Sequence, residues 1–449
     1  MESTSTHVIS ITNGEENIAP RKNNKTKTFH FSISFPPVFS RLRENKIHFS
    51  LFSIGSNLRN KQKKDTKRII HSIKVGISLV LISLLYLLEP LYELVGENAI
   101  WAIMTVVVTF EFSAGATLGK GLNRGMGTVL GGGLGIMAAV LAQKLGGVVA
   151  NPIIIGASVF FFGTIATYFR LFPSVKKRYD YGVMILILTF NLVVVSGVRT
   201  EDQKVWEIAR DRLLTIVMGF VVCISVSLLV FPLWASDELH DSIVTRFQGL
   251  AHSLQVCLEE YVKFGTEKEN KPAANFTICK SLLDSKSKDE LLANFAKWEP
   301  WHGKFGFFYP WEKYLKMGEV LGELAAIILA VGGCLQDSTT PMALASASEL
   351  ESCEAIGSGI VWTLRELGDS MKQMRKCEAE SHISAKLKAA RAELLVISTS
   401  KIAAIENMDA LALTSFVFLL KKVVDKVEEL TKEVEQVGDI AGFRAHSTL

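Results

Sequence analysis

Residues 99–142 read AIWAIMTVVVTFEFSAGATLGKGLNRGMGTVLGGGLGIMAAVLA. Two apolar runs, 99–118 and 125–142, flank a short stretch holding Lys120 and Arg124. Each run is about as long as a helix must be to cross the hydrocarbon of a bilayer, where a helix satisfies its own backbone. Outward from this segment, runs of similar length occupy 69–88, 152–169, 181–198 and 213–234, making six between residues 69 and 234. The pattern predicts an all-α membrane protein with six transmembrane helices at 69–234 followed by a helical cytosolic domain at 235–449. Residues 1–68 form a basic arm that reads as a disordered cytosolic tail.

Composition agrees with a membrane unit fused to a water-exposed one. At 449 residues, 49% hydrophobic and mean hydropathy +0.27, the chain is too apolar for one soluble domain and too charged for a purely membrane protein. The formal charge of +4 conceals an asymmetry: residues 1–68 hold thirteen Lys or Arg against five Asp or Glu, which leaves the remainder about 4 units acidic. Six cysteines lie scattered without a CxxC pair, which argues against a zinc site or a disulfide framework and fits a reducing compartment. No metal or cofactor is expected. The polar first 68 residues lack the apolar core of a cleavable signal peptide, so the first span serves as its own insertion signal.

Orientation follows from the basic residues of the short connections. Lys64, Lys67 and Arg68 precede the first span, Lys120 and Arg124 follow the second, and Arg170, Lys176, Lys177 and Arg178 follow the fourth. Those ends face the cytosol by the positive-inside bias, so both termini are cytosolic. The opposite connections carry Glu89, Glu93 and Glu97, then Lys144, then Arg199, Glu201, Asp202, Lys204 and Glu207.

The third run is dense in glycine, with Gly127, Gly131 and Gly135 at small-xxx-small spacing. In lipid such spacing lets helix backbones approach closely, and it serves equally a contact inside one subunit or between two. Two resemblances to nucleotide motifs fail on context. Gly115 to Lys120 is one residue short of a phosphate-cradling loop and ends in Gly121 where a hydroxyl would hold magnesium, while Gly133-Leu134-Gly135 lies inside an apolar helix.

A charge inside a span costs about 2.5 to 3.5 kcal/mol at a helix centre, so it tends to line water or meet a partner. Glu111 is read as the one such charge well inside a run, a structural partner for Lys120 or Arg124. Arg210 and Arg212 enter the membrane at the start of the sixth run, where Trp206 marks the outer interface. Cations thus occur near both ends of a bundle with few buried anions, and a path lined by Lys120, Arg124 and Arg212 would favour anions. The alternative for these three is snorkelling to headgroups.

The stretch from Trp101 to Gly135 resembles the hallmark segment of the plant aluminium-activated malate transporter family. Trp298-Glu299-Pro300, in ANFAKWEPWHGKFGFFYPWEKY, resembles the WEP signature of that family's cytosolic half. The RYDYG segment at Arg178 to Gly182 and DIAGFRAH near the C-terminus are further matches, and the likeness covers about residues 64 to 445. The resemblance implies a passive channel for malate and sometimes inorganic anions, built as a homodimer in the lipid bilayer. It also implies that basic residues of the membrane helices line the path, here Lys120 and Arg124 in GKGLNRG and Arg212. Members that respond to aluminium use acidic residues on the outer face, for which this chain offers Glu89, Glu93, Glu97, Glu201, Asp202 and Glu207. Two departures, the GKFGFF spelling at 303–308 and the basic N-terminal extension, leave the subgroup and the resident membrane, plasma or vacuolar, open.

The residues reach the same class separately. Malate is a small dianion whose hydration must be replaced by fixed positive groups spaced loosely enough to release it. No phosphate loop, metal cluster or row of buried carboxylates appears that would drive active pumping, and nothing points to nucleic acid. In the second half, Leu420, Val423, Val427, Leu430, Val434 and Val437 mark an a/d seam that packs within one subunit or between two. The apolar stretches 411–420 and 325–331 are too short to cross a bilayer and belong to the cytosolic core. Trp298, Trp301, Phe305, Phe307, Phe308, Tyr309 and Trp311 anchor a loop between helices, in which His302 and Glu299 stand too isolated for catalysis. A membrane-embedded enzyme would need a constellation that is absent, so the competitor is a multi-span scaffold whose cytosolic helices bind partners.

Overall fold

A computed structural model of the chain describes residues 50–89, 99–145, 150–196, 202–263, 276–306, 309–337, 347–377, 380–402 and 408–444. By contacts the chain divides into Met1–Gln62 and Lys63–Leu449. Of the basic arm, residues 1–49 lie outside the described residues. From Ser50 onward it is helical, since its long Lys, Arg and Gln side chains favour a helix.

The first helices are α1 (Ser50–Leu87), α2 (Ala99–Thr109), α3 (Ala114–Leu145), α4 (Ala150–Arg170), α5 (Pro173–Arg178), α6 (Asp180–Ser196) and α7 (Asp202–Leu229). They differ from expectation in one place that matters. The predicted second span, 99–118, is broken at residues 110–113, and the stretch expected to connect it to the third is helical throughout. The cause is local capping. The Ser113 hydroxyl accepts the Ala116 N–H at 3.2 Å, the Thr117 hydroxyl accepts the Glu111 N–H at 3.0 Å, and the Ala114 N–H reaches Leu233 O at 2.9 Å. A new helix therefore starts at Ala114 and carries Lys120 and Arg124 in its interior instead of in a cytosolic loop. At 32 residues α3 is about 48 Å long, well beyond the hydrocarbon thickness.

The glycine stripe of α3 is filled from within the chain. A Cβ on Gly127 would collide with Gly182 O, one on Gly131 would stand 2.5 Å from Leu186 O, and one on Gly135 would stand 2.9 Å from the Val193 Cβ, all on α6. The same device seats α2 on α7, where a Cβ on Gly219 would meet Ala102 O at 2.8 Å. Ile82, Ala102, Val106, Phe110, Cys223 and Val226 close the small core shared by α1, α2 and α7. Outward, Phe160, Phe161 and Ile165 of α4 and Leu214 and Val221 of α7 stand more than half exposed, apolar surface that lipid would cover.

The second half consists of α8 (Ala235–Lys263), α9 (Thr277–Leu283), α10 (Lys286–Ala296), α11 (Trp311–Asp337), α12 (Ala347–Gln373), α13 (Glu380–Ile402) and α14 (Met408–Ile440) around one large apolar core. All six seam residues of α14 are buried, and α14 packs on α11 and α13 of the same chain. Arg246 of α8 and Asp289 of α10 form a buried bidentate pair at 2.5 and 2.6 Å. Among the described residues, four helical segments are long and apolar enough to cross a membrane by length and composition: Ala114–Leu145, Pro152–Arg170, Arg210–Leu229 and Trp311–Cys334. The last contains the 325–331 stretch expected to be too short to cross. It extends that stretch into a full apolar helix, yet half of its apolar window is buried in the C-terminal core. Ile100–Thr109 and Asp180–Ser196 are shorter apolar helices.

Candidate functional site

Two turns into α3 the charges begin. Lys120 Nζ pairs with Glu111 Oε1 at 2.5 Å and lies 5.4 Å from the Tyr181 ring centre, with both charged groups about a third exposed. Glu111 sits in the capped break between α2 and α3 and not within an unbroken helix over 99–118. One turn on from Lys120, Arg124 is buried at 6% exposure; its Nη1 donates to the Tyr181 hydroxyl at 2.9 Å, while its Nε has no partner among the described residues. Arg212 of α7 is buried at 4% exposure, its guanidinium stacked 4.0 Å over the Trp101 ring of α2, and neither its Nε nor its Nη1 has a partner among the described residues. Arg124 and Arg212 are close enough to repel each other electrostatically. Two buried guanidinium groups thus share one region with unspent N–H donors, and Lys120 beside them is already neutralised.

Such an arrangement is costly as it stands. A buried charge without a partner is strongly unfavourable, and like charges in a low dielectric add to that cost. A planar guanidinium offers forked N–H groups that match a carboxylate.

Lys74 of α1 is a further cation withdrawn from water. It lies inside the first apolar run at 1% exposure, with Nζ 3.4 Å from Ser227 O. The signal was present in the sequence, a lysine six residues into an apolar run. Arg210 pairs with its neighbour Asp211 at 3.0 Å.

Around the break, the C-terminal bundle touches α3. A Cβ on Gly115 would stand 2.6 Å from Glu299 Cγ, and one on Gly119 would stand 2.9 Å from Trp298 Cδ1. Glu299 is almost wholly buried and caps α8 from outside, accepting the Ala235 N–H at 2.6 Å, the Ser236 N–H at 3.2 Å and the Ser236 hydroxyl at 2.5 Å. Burial pushes its carboxyl above the ordinary range, against the pull of those donors. His302 stacks on Trp234 at 3.7 Å and contacts Ser236 Oγ at 3.0 Å, so it and Glu299 are joined through a serine rather than isolated. From α5 and its surroundings, the Arg178 guanidinium lies 5.3 Å over Trp298, Lys177 pairs with Glu290 of α10 at 2.7 Å, and Arg170 forms a two-pronged pair with Asp180 at 2.7 and 3.0 Å. Of the expected aromatic anchor, Phe305, Tyr309 and Trp311 pack together with Tyr314, whereas Trp301 is 71% exposed; Phe307 and Phe308 lie outside the described residues.

Of the carboxylates expected on the outer face, Glu93, Glu97 and Glu201 lie outside the described residues. Glu89 is exposed just past α1, and Asp202 and Glu207 occupy the first two turns of α7.

The family profile described as "Aluminium activated malate transporter" matches residues 59–402. Aluminum-activated malate transporter 14 of Arabidopsis thaliana is 40% identical over 374 residues, covering 82% of this chain and 65% of its own length. Aluminum-activated malate transporter 12 of the same plant is 44% identical over 329 residues, covering 73% of this chain and 58% of its own length. Aluminum-activated malate transporter 1 of Triticum aestivum is 34% identical over 396 residues, covering 85% of this chain and 84% of its own length. The chain therefore spans less than two thirds of the length of the first two relatives.

Proposed function

The chain belongs to the aluminium activated malate transporter family, and on that premise we propose that it is a passive, malate-conducting anion channel of a plant membrane. In this reading α1 to α7 contribute six membrane passes, both termini and the α8–α14 bundle are cytosolic, and two copies form the working unit. The observation that carries the reading is the pair Arg124 and Arg212, buried on neighbouring helices with N–H groups that no atom of the described residues accepts. Their mutual repulsion favours an anion between them but limits how tightly a protein can close around it, which suits conduction better than storage. Lys120, held by Glu111, sets the field at the inner approach.

Voltage clamp in a heterologous membrane tests this. Arg124→Gln and Arg212→Gln should each lower malate current by about tenfold or more, the size of one lost charge-assisted hydrogen bond. Lys120→Gln should lower it less, because Glu111 already offsets that charge. Current unchanged in both arginine variants removes the site, and no current in the wild type favours the scaffold reading.

A further inference from the structure

The cluster joining the C-terminal bundle to α3 contains a hydrogen count that ordinary protonation states do not satisfy. His302 Nδ1 lies 2.8 Å from Pro300 O, His302 Nε2 lies 3.0 Å from Ser236 Oγ, and Ser236 Oγ lies 2.5 Å from Glu299 Oε2. A carbonyl oxygen only accepts, so Nδ1 carries a hydrogen there. Each of the other two contacts also needs one hydrogen. A neutral imidazole, a hydroxyl and an ionised carboxylate supply two between them, one short of the three required.

We propose that this His302–Ser236–Glu299 chain holds one additional shared proton and acts as a proton-sensitive clamp on the inner end of α3. Two placements satisfy every contact. In one, an imidazolium donates to the serine, which donates to the carboxylate. In the other, a protonated Glu299 donates to the serine, which donates to a neutral His302. Moving between them transfers one proton along the serine and leaves the total unchanged. Losing the proton leaves two acceptors facing each other across one contact, and the chain opens there.

The location gives the proton its leverage. Glu299 lies against Gly115, Trp298 lies against Gly119 next to Lys120, and the His302 ring stacks on Trp234 at the end of the α7 segment. Other charges facing the clamp come from each neighbouring element. Asp237 of α8 interacts with His302, and Asp241 and Lys304 lie beside them. Glu238 pairs with Lys67 of α1 and Lys288 of α10, and Arg178 covers Trp298. The Lys120–Glu111 pair stands on the α3 side. None of these enters the three contacts. Burial of Glu299, which favours its protonated form, works in the same direction as the hydrogen count.

The clamp itself is tested without transport. For full-length protein in detergent, the wild-type melting temperature should fall as pH rises above about 6.5, because the unfolded chain releases a proton that the folded chain retains. The unfolding equilibrium should shift about tenfold per pH unit while the folded chain keeps that proton. His302→Phe, which keeps the ring stack, His302→Gln and Ser236→Ala should each lack that part of the slope. A wild-type slope retained in all three, or no slope in the wild type, overturns the proposal. Control of conduction rests additionally on the channel reading. In excised patches, raising pH on the cytosolic face should change wild-type current by a single-proton titration that is absent from His302→Phe. A wild-type current indifferent to cytosolic pH removes the gating role, whereas an absent wild-type current sinks the channel reading and leaves the melting result to decide the clamp.

Discussion

Arg212 and Glu299 are both charged side chains withdrawn from water, but their surroundings answer the cost differently. Glu299 receives three donors from the start of α8, while Arg212 keeps two N–H groups unspent above an indole ring. The first arrangement stabilises the fold and the second leaves donors unspent among the described residues. His240 illustrates a third answer. Buried against Phe305 with Nδ1 2.9 Å from the Tyr314 hydroxyl, it is held neutral, its pKa pushed down to about 4 by burial. Acidification below about 6.5 therefore protonates this histidine in the unfolded chain first, and its contribution to stability declines by about 3 kcal/mol as pH falls through the window down to about 4. Thermal melting at stepped pH should show this acid-side loss and its reduction in His240→Phe. The slope is opposite in sign to that expected of the His302 clamp. At this scale the sequence made the identity of the cations legible, but not the partners of Arg124 and Arg212. Neither the stacking of Trp101 on Arg212 nor the bridge from Ser236 to Glu299 has a sequence spacing that would reveal it.

Helix α3 shows how one element serves two partners. Its glycines at 127, 131 and 135 admit the backbone of α6, and those at 115 and 119 admit the loop after α10. Gly125 and Gly133 face open space. Gly131→Ala should lower the melting temperature of the purified protein, consistent with an overpacking cost of about 1 to 3 kcal/mol against Leu186 O. Gly125→Ala and Gly133→Ala should leave it unchanged or raise it slightly, since alanine is the better helix former. Equal losses at all three positions would contradict the seating of α3 on α6. The small-xxx-small spacing was plain in the sequence, whereas the choice between an internal and an intersubunit contact was not. The same holds for the break at residues 110–113: hydropathy runs on through it, and only the hydroxyls of Ser113 and Thr117 mark it.

Across the whole molecule, two kinds of interior coexist. The first seven helices meet through small residues and expose broad apolar faces, while α8 to α14 enclose a conventional core with ion pairs outside, such as Arg391 with Asp425 and Glu428 at 2.6 Å. Val427 lies in the second interior, fully buried within the α14 seam. Val427→Asp should cost several kcal/mol by burying an unpaired carboxylate, and should turn the C-terminal half into a ready substrate for limited proteolysis. Resistance equal to the wild type would place that seam on a surface instead.

Composition and periodicity alone determined that the chain is helical and carries runs long and apolar enough to cross a bilayer, because burial in hydrocarbon imposes its own length and composition on a helix. Two long motifs gave the family. Tertiary structure alone decided which helix fills the glycine stripe of α3, that the α14 seam closes within its own chain, and that Arg124 meets Tyr181 and Arg212 meets Trp101. Each of these depends on side chains far apart in sequence meeting at hydrogen-bonding or van der Waals distance, and no local pattern encodes such a meeting.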